Sequence, residues 1–201
     1  MTEINWHERL ANTTLSVRNF INGEYSASKG NSSIEKHAPH SGELLYSFGE
    51  GTAEEADHAV ACAKAAYDDG RWANLSLWAR QQVLLKLADL IEEHREEFAL
   101  YEALDVGKPI SNAFYGDVSN AAGTFRNAAH NAGQLLHPSG SDGPYFAYHQ
   151  RGPLGVVAGI AGWNFPLVLA AQKVAPALIM GNSMVLNPLN SPHSQPVVWP
   201  N

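Results

Sequence analysis

Apolar positions in the C-terminal third of the chain form long runs separated by short turns. Residues 154–160 and 183–186 are continuous apolar runs, and residues 166–180 have the length and composition of a buried helix. Continuous apolar strands are typical of a parallel sheet that is covered on both faces. Because strand, helix and strand follow one another, the pattern predicts a βαβ unit with a right-handed crossover.

Helical periodicity dominates the middle of the chain. Thr52 and Glu55 have the spacing of a capping box, which predicts a helix start, and this helix is expected to end at 68–70. A longer amphipathic pattern predicts one continuous helix that stops at 105–109, and a third helix is expected over 111–136. The first two apolar faces hold Ala56, Ala59, Val60, Ala63 and Tyr67, and then Leu84, Leu87, Ile91, Phe98 and Tyr101.

Short strands and turns flank these helices. Residues 1–18 are polar and are expected to form an arm, and the Asn-Gly pair at 22–23 predicts the tight turn of a β-hairpin over 20–25. Residues 44–48 predict a further strand. Residues 145–151 alternate in polarity, as an edge strand or a protruding hairpin arm does.

Composition and charge exclude several classes of function. The net charge is −7 and the 13 Lys and Arg residues are scattered, which argues against nucleic acid because binding needs clustered cations. A long uncharged run, residues 152–172, contains Trp, Asn and Pro and is expected to be core rather than a membrane span. The polar N-terminus lacks a secretory h-region. A single cysteine excludes a disulfide framework and favours a cytoplasmic setting.

Cys62, the one cysteine of the sequence, lies in an Ala-rich helical run. We expect no His partner at helical spacing, so the sequence predicts ordinary packing of this thiol rather than a nucleophile. The nine histidines show no metal-ligand spacing such as H-x3-H. No catalytic metal is therefore predicted.

Asn164 sits on a Trp-Asn-Phe-Pro corner where the predicted strand gives way to the helix. An amide at this edge of a parallel sheet can donate a hydrogen bond to a developing oxyanion. The alternative is that Asn164 caps the helix that begins near Pro166. The residues themselves leave both interpretations open.

Two neighbouring features also allow two interpretations. Gly155, Gly159 and Gly162 do not have dinucleotide-fingerprint spacing, so they indicate either close backbone packing or a wall that a flat cofactor approaches. Lys173 lies in an otherwise apolar helix, where its side chain either extends to solvent or pairs in a polar pocket.

The run PLGVVAGIAGWNFPLVLAAQKVAPALIMGNSMVL, residues 153–186, resembles the aldehyde dehydrogenase superfamily. FINGEY near the start and LADLIEEHREEFALYEALDVGKP agree, and the details resemble the amino-aldehyde-oxidising branch, which includes gamma-glutamyl-aminobutyraldehyde dehydrogenases. The resemblance implies an α/β fold with an N-terminal helical layer and the first βαβ unit of a Rossmann-like parallel sheet, left incomplete. Residues 19–186 would form part of the NAD-binding domain.

The resemblance implies oxidation of an aldehyde to a carboxylic acid, with NAD or NADP as cofactor. Asn164 matches the amide of the oxyanion hole, and Lys173 matches a lysine with a proton-relay or positioning role. Residues 145–151 match one strand of the oligomerisation arm. The positions that match the cofactor-lining segment and the substrate tunnel are, respectively, Ile160, Ala161, Gly162 and Trp163, and Phe165, Leu169 and Gln172.

The sequence departs from the family pattern in two ways. The family's nucleophilic Cys and general-base Glu belong to segments beyond residue 201, and Cys62 matches neither. Asn187 and Asn190 replace the Lys and Glu that hold the adenosine ribose, and asparagine supplies no charge. Residues 187–201 are interpreted as an aberrant, frameshifted tail, because one inserted base in a plausible codon string restores Lys and Glu at these positions.

Three hypotheses about function follow. The first is an N-terminal fragment of an NAD(P)-dependent aldehyde dehydrogenase that is inactive alone and binds cofactor weakly or not at all. The second is a non-catalytic protein that pairs with full-length aldehyde dehydrogenase subunits. The third is a stand-alone nucleotide-binding module.

Overall fold

The computed structural model of this chain describes residues 4–135, 144 and 150–188. Its strands are β1 (Asn19–Ile21), β2 (Glu24–Ser26), β3 (Ser33–His37), β4 (Leu44–Gly49), β5 (Val156–Ala161) and β6 (Ser183–Pro188). Its helices are α1 (Trp6–Ala11), α2 (Ala53–Asp68), α3 (Leu77–Glu93), α4 (Arg95–Val106), α5 (Ile110–Asn112), a π-helix (Ala113–Asp117), α6 (Val118–Leu135) and α7 (Pro166–Ile179). The predicted α/β class is confirmed.

The strands pair in three two-stranded sheets within the described residues. β1 and β2 form the predicted antiparallel hairpin, and Asn22 and Gly23 have φ values of 54° and 84°, as a tight Asn-Gly turn requires. β3 and β4 are also antiparallel. β5 and β6 are parallel, with Gly159 opposite Leu186, so the parallel βαβ unit is confirmed.

The core lies between α3 and α6, which belong to the helical layer that the sequence predicts, and α7, the helix of the predicted βαβ unit. α6 packs against both of the other helices. The largest fully buried side chains come from all three: Phe125, Leu84, Ile91, Leu167 and Val118. The layer also receives Trp6 from α1, whose ring meets Phe114 edge-on at a centroid distance of 5.7 Å. The N-terminal arm therefore contains a helix that packs on the body.

The predicted helices are present, but the long amphipathic helix is divided in two. The capping box at Thr52 and Glu55 is present, and Gly107 ends α4 with a φ of 79°, a conformation that favours glycine. The long amphipathic helix is broken at His94, whose backbone leaves the helical region. Packing decides this break, because Ile91 and Phe98 on either side both remain buried in one core.

Two predicted apolar surfaces are less covered than expected. β5 alternates, with Gly159 and Ala161 buried and Ala158 and Ile160 exposed, so covering of both strand faces is not seen in the described part. α2 has no fully buried residue, and Val60 is 48% exposed. Small alanines on that helix leave shallow contacts with β5 and β6.

The predicted strand over 145–151 falls mostly outside the described residues, and the proposed aberrant tail does so after residue 188. The third helix begins at Ile110, and its first half includes the π-helix. β3 was missed, since the sequence SIEKH carries little strand signal.

Candidate functional site

The Gly162–Phe165 corner joins β5 to α7 at the carboxyl end of the parallel strand pair. α7 starts at Pro166, whose fixed φ suits the first helical position. The N-cap residue is Phe165, and no side chain of the cap hydrogen-bonds the helix start. The capping interpretation of Asn164 is therefore wrong. Asn164 is exposed, and its amide remains available to a ligand.

Apolar side chains surround this amide at the surface. Ile160, Trp163 and Phe165 are 59%, 47% and 45% exposed. Ala161 points the other way and is 1% exposed, because alternate residues of a strand face opposite sides. The structure therefore brings the predicted cofactor-lining residues and Phe165 to one end of β5.

Close packing around Gly159 and Gly162, in and just after β5, leaves little room for a side chain at either position. A Cβ placed on Gly162 would lie 3.1 Å from Leu169 Cδ1 and 3.5 Å from Asn164 Oδ1. On Gly159 it would meet the side chains of Met184 and Leu186 and come within 3.4 Å of Lys173 Cβ. The packing interpretation holds for these two residues, and close packing at 162 also keeps the corner compact.

The remaining predicted site residues lie along α7 and β6. Leu169 is half-buried, whereas Gln172 and Lys173 are exposed, so Lys173 extends to solvent in the described part of the chain. Asn187 lies in β6, opposite Ile160, and only its backbone is described. Asn190 falls outside the described residues.

Buried charges that the sequence interpretation missed fix both ends of α7. At the first turn, the Leu167 N–H donates to Glu102 Oε1 over 2.7 Å. At the last turn, Arg80 Nε donates to the Ile179 carbonyl over 3.0 Å, and Trp72 Nε1 donates to the Leu178 carbonyl over 2.8 Å. An anion at the N-terminus and a cation at the C-terminus both complement the helix dipole.

Glu102 belongs to an ionic cluster that we call the lysine clamp, made of Glu102, Lys108 and Asp117. Lys108 Nζ lies 3.1 Å from Glu102 Oε2 and donates a hydrogen bond to Asp117 Oδ2. The three side chains are 5%, 12% and 8% exposed. Burial raises the pKa of Glu102, and the ammonium of Lys108 opposes that shift. Asp117 enters the clamp from the last position of the π-helix.

A part-buried polar pair, Tyr46 and Asp105, lies beside an apolar pocket at the start of α7. Tyr46 Oη donates to Asp105 Oδ1 over 2.8 Å, and Leu15, Phe98 and Pro166 are among the other lining residues. Burial raises the pKa of Asp105 to about 7. Burial also lowers the pKa of Lys36, which interacts with Asp105.

The helical periodicity of α4 could have identified Glu102 from the sequence as a buried, paired charge. It lies four residues after Phe98, on the apolar face of α4, where a charge is expected only if it is paired. Lys108 and Asp117 gave no comparable signal, because they meet Glu102 only after the chain folds.

The surroundings of Cys62 contradict the expectation that it has no His partner at helical spacing. His58 precedes it by four residues on α2, and its ring nitrogens lie 3.7 and 3.9 Å from Cys62 Sγ. A His partner at helical spacing is therefore present. Among the described residues, no group of three His, Cys, Asp or Glu side chains is placed to hold a metal ion. No helix in the described ranges has both the length and the apolar character to cross a membrane.

Comparison with known proteins adds to this geometry. The sequence profile of the aldehyde dehydrogenase family matches residues 25–196. The NADP/NAD-dependent aldehyde dehydrogenase PuuC of Escherichia coli (strain K12) is 37% identical over 184 residues, which are 91% of this chain and 37% of that protein. The aminoacetaldehyde dehydrogenase of Pseudomonas aeruginosa is 37% identical over 179 residues, covering 89% of this chain and 36% of that protein.

A solved structure agrees with these sequence matches. The crystal structure of an indole-3-acetaldehyde dehydrogenase complexed with NAD+ superposes with a TM-score of 0.84 at 36% identity, covering 90% of this chain and 37% of that one. The chain thus spans a little over a third of the length of these relatives.

Proposed function

This chain belongs to the aldehyde dehydrogenase family, and we propose that it supplies the oxyanion-stabilising amide and the cofactor-facing wall for oxidation of an aldehyde to a carboxylic acid. The observation that carries the proposal is the state of Asn164. Its side chain is exposed and plays no part in capping α7. An amide held at a strand end, between two aromatic residues, suits stabilisation of a negative oxygen.

The chemistry at Asn164 is donation of one hydrogen bond. When a nucleophile adds to the aldehyde carbon, charge develops on the carbonyl oxygen, and the Asn164 amide N–H stabilises that charge. Loss of one such donor costs about 10² to 10³ in rate. Phe165, Leu169 and Gln172 would flank the incoming aldehyde. Lys173 would act in positioning or proton relay from the exposed face of α7.

The described residues also fit the nicotinamide cofactor. Ile160 and Trp163 present exposed apolar surface at the end of β5, and Gly162 adds no side chain between them. A flat ring can lie against such a wall, which Ala161 supports from behind. NAD, or NADP, would accept a hydride when bound there. Asn187 and Asn190 carry no charge with which to hold the ribose of the cofactor. We therefore propose that these 201 residues bind NAD or NADP weakly.

The isolated polypeptide is proposed to lack dehydrogenase activity. Nucleophilic catalysis on an aldehyde needs an activated nucleophile such as a thiolate, and the sequence has one cysteine, Cys62. It contacts His58 on its own helix, and it matches no catalytic position of the family.

We place the chain in a cytoplasmic setting and favour an amino-substituted aldehyde as substrate, in line with the aminoacetaldehyde dehydrogenase relative.

The test is a chimera in which residues 19–186 replace the matching segment of the E. coli relative. We expect aldehyde-dependent NADH formation, and we expect Asn164→Ala to lower kcat by about 10² to 10³. Asn131→Ala, at an exposed position on α6, is the matched control and should leave kcat unchanged. A chimera that keeps its kcat without the Asn164 amide contradicts the proposed role.

A second experiment uses the chain by itself. Purified free of other dehydrogenases, it should convert neither acetaldehyde nor aminoacetaldehyde to carboxylate. Production of carboxylate would contradict the proposed inactivity.

The open strands favour a second candidate function. β5 and β6 form a two-stranded sheet in the described part of the chain, and Ala158 and Ile160 are exposed on one face. Unpaired strand edges are templates for pairing with another chain. This chain would then bind full-length aldehyde dehydrogenase subunits. Co-expression with the intact relative, followed by size-exclusion chromatography of the tagged chain, distinguishes a mixed oligomer from independent proteins.

A further inference from the structure

The lysine clamp contacts the backbone of Asn164, the residue that carries the candidate oxyanion amide. Lys108 Nζ reaches the Asn164 carbonyl oxygen at 3.5 Å and lies 4.3 Å from the centre of the Phe165 ring. The contact with the ring is within cation–π range, and the contact with the carbonyl is a long hydrogen bond. One cation therefore touches two consecutive residues of the corner.

The clamp also fixes the next turn of the chain. Glu102 pairs with Lys108 through Oε2 and accepts the Leu167 N–H through Oε1. Residues 164, 165 and 167 are thus bound by one buried ionic group whose members come from α4, the 107–109 turn and the π-helix. A π-helix within a longer helix is often found at functional sites, and here its last residue, Asp117, holds the ammonium.

We propose that Lys108 is a positioning residue for Asn164: clamped by Glu102 and Asp117, its ammonium fixes the backbone of 164 and the ring of Phe165, so that the Asn164 amide points toward the bound aldehyde. The inference rests on the proposed function for the task that it gives this amide. Lys108 acts through Asn164 and touches no substrate.

A purely structural role of Lys108 predicts a different result. A buried ion pair that only stabilises the fold would loosen the whole helical layer when broken. A positioning role acts first on the corner, because the contacts of Lys108 with 164 and 165 are local. The two roles can therefore be separated by reporters at the corner and in the core.

The experiment uses the 15N-labelled full chain and NMR. The Asn164 side-chain NH2 signals are assigned from their absence in Asn164→Asp. In Lys108→Met, we expect these signals to leave their wild-type position and hydrogen exchange of the Leu169 amide, which donates to Phe165 O, to rise about tenfold. Exchange at Phe125 in the core should rise much less. Lys108→Arg should restore both readouts, and Lys86→Met, at an exposed position on α3, should change neither.

Three outcomes overturn the inference. They are an unmoved Asn164 signal in Lys108→Met, equal acceleration of exchange at Leu169 and Phe125, and failure of arginine to restore the signal. If Lys108→Met does not fold, Asp117→Asn decides, since it removes one carboxylate partner and should move the Asn164 signal in the same direction by a smaller amount. An unmoved signal there is equally decisive.

These readouts involve neither aldehyde nor turnover. If the chimera shows that Asn164 is dispensable, the proposed function fails while the clamp can still be seen to hold the corner. If Asn164 proves essential and its signal ignores Lys108, the positioning inference fails alone.

Discussion

The Arg80 guanidinium donates a 3.0 Å hydrogen bond to the carbonyl of Ile179, 99 residues away in sequence. It also donates to the carbonyls of Ala73 and Leu75. A single buried side chain thus joins the loop before α3 to the last turn of α7. The end of the helix that carries the candidate site is therefore held by a residue that takes no part in chemistry.

Replacing Arg80 by Met should destabilise the protein by about 2–4 kcal/mol, because one buried and two part-buried carbonyls lose a charged donor. Urea unfolding followed by circular dichroism measures the loss. Arg126→Met is the matched control. Its ion pair with Asp89 lies at the surface, so its removal should cost less than about 1 kcal/mol. Equal losses in the two variants would contradict this account of Arg80.

The raised pKa of Asp105 predicts a pH dependence of stability. The folded state binds a proton at Asp105 up to a pH of about 7, whereas the ordinary pKa is 3.8. The stabilising contribution of the protonated group is therefore fully present below pH 3.8 and is lost as the pH rises through 7. Between pH 5 and 8, the free energy of unfolding of Asp105→Asn should fall less than that of the wild type, by up to about 3 kcal/mol.

Urea titrations at several pH values check this difference. Asp89→Asn, at a side chain that is 73% exposed, should follow the wild-type curve. A pH profile of Asp105→Asn that is parallel to that of the wild type would show that this carboxyl does not titrate as described.

Gly107 should tolerate no side chain. Its φ is 79°, and an added Cβ would lie 2.8 Å from Pro39 Cβ. Gly107→Ala should therefore destabilise the protein by about 1–3 kcal/mol, from left-handed strain and the clash together. Gly123→Ala is the matched control on α6, where nothing lies within 4 Å, and it should stabilise by about 0.5–1 kcal/mol. Thermal unfolding of the two variants should shift the Tm in opposite directions.

The capping box at the start of α2 gives a further prediction. Thr52 Oγ1 accepts the Glu55 N–H, and the Glu55 carboxylate accepts the Thr52 N–H. Thr52→Ala should cost about 1 kcal/mol, and Thr52→Ser, which keeps the hydroxyl, should cost little. Denaturant unfolding of the pair measures the difference. A serine variant as unstable as the alanine variant would argue against the hydroxyl as the cause.

Local sequence signals predicted much of the secondary structure. The turn at 22–23, the capping box at 52–55 and the stop at Gly107 each depend on neighbours in sequence, so their residue types are informative on their own. The strands and helix around Asn164 were predicted for the same reason, because apolar runs define β5, α7 and β6 directly.

Tertiary packing decided the features that the sequence did not predict. His94 is neither a glycine nor a proline, the residue types that most clearly mark the end of a helix. The break at this residue allows Ile91 and Phe98 to be buried in the same core. The clamp joins Glu102, Lys108 and Asp117 to Asn164, which is 56 residues beyond Lys108, and no local pattern encodes that contact. The corner was predicted, whereas the charges that hold it became visible only in the folded chain.

The π-helix at 113–117 places one residue more in its turn than an α-helix does, and this wide turn takes up that residue without rotating the chain before it. α5, directly before it, has no such wide turn, so deleting one residue there would rotate everything before it by roughly 100° about the axis relative to α6. Lys108 and Glu102 would then swing away from Asp117. Descendants of this gene should accept substitutions at exposed Tyr115 far more readily than a single-codon insertion or deletion in α5.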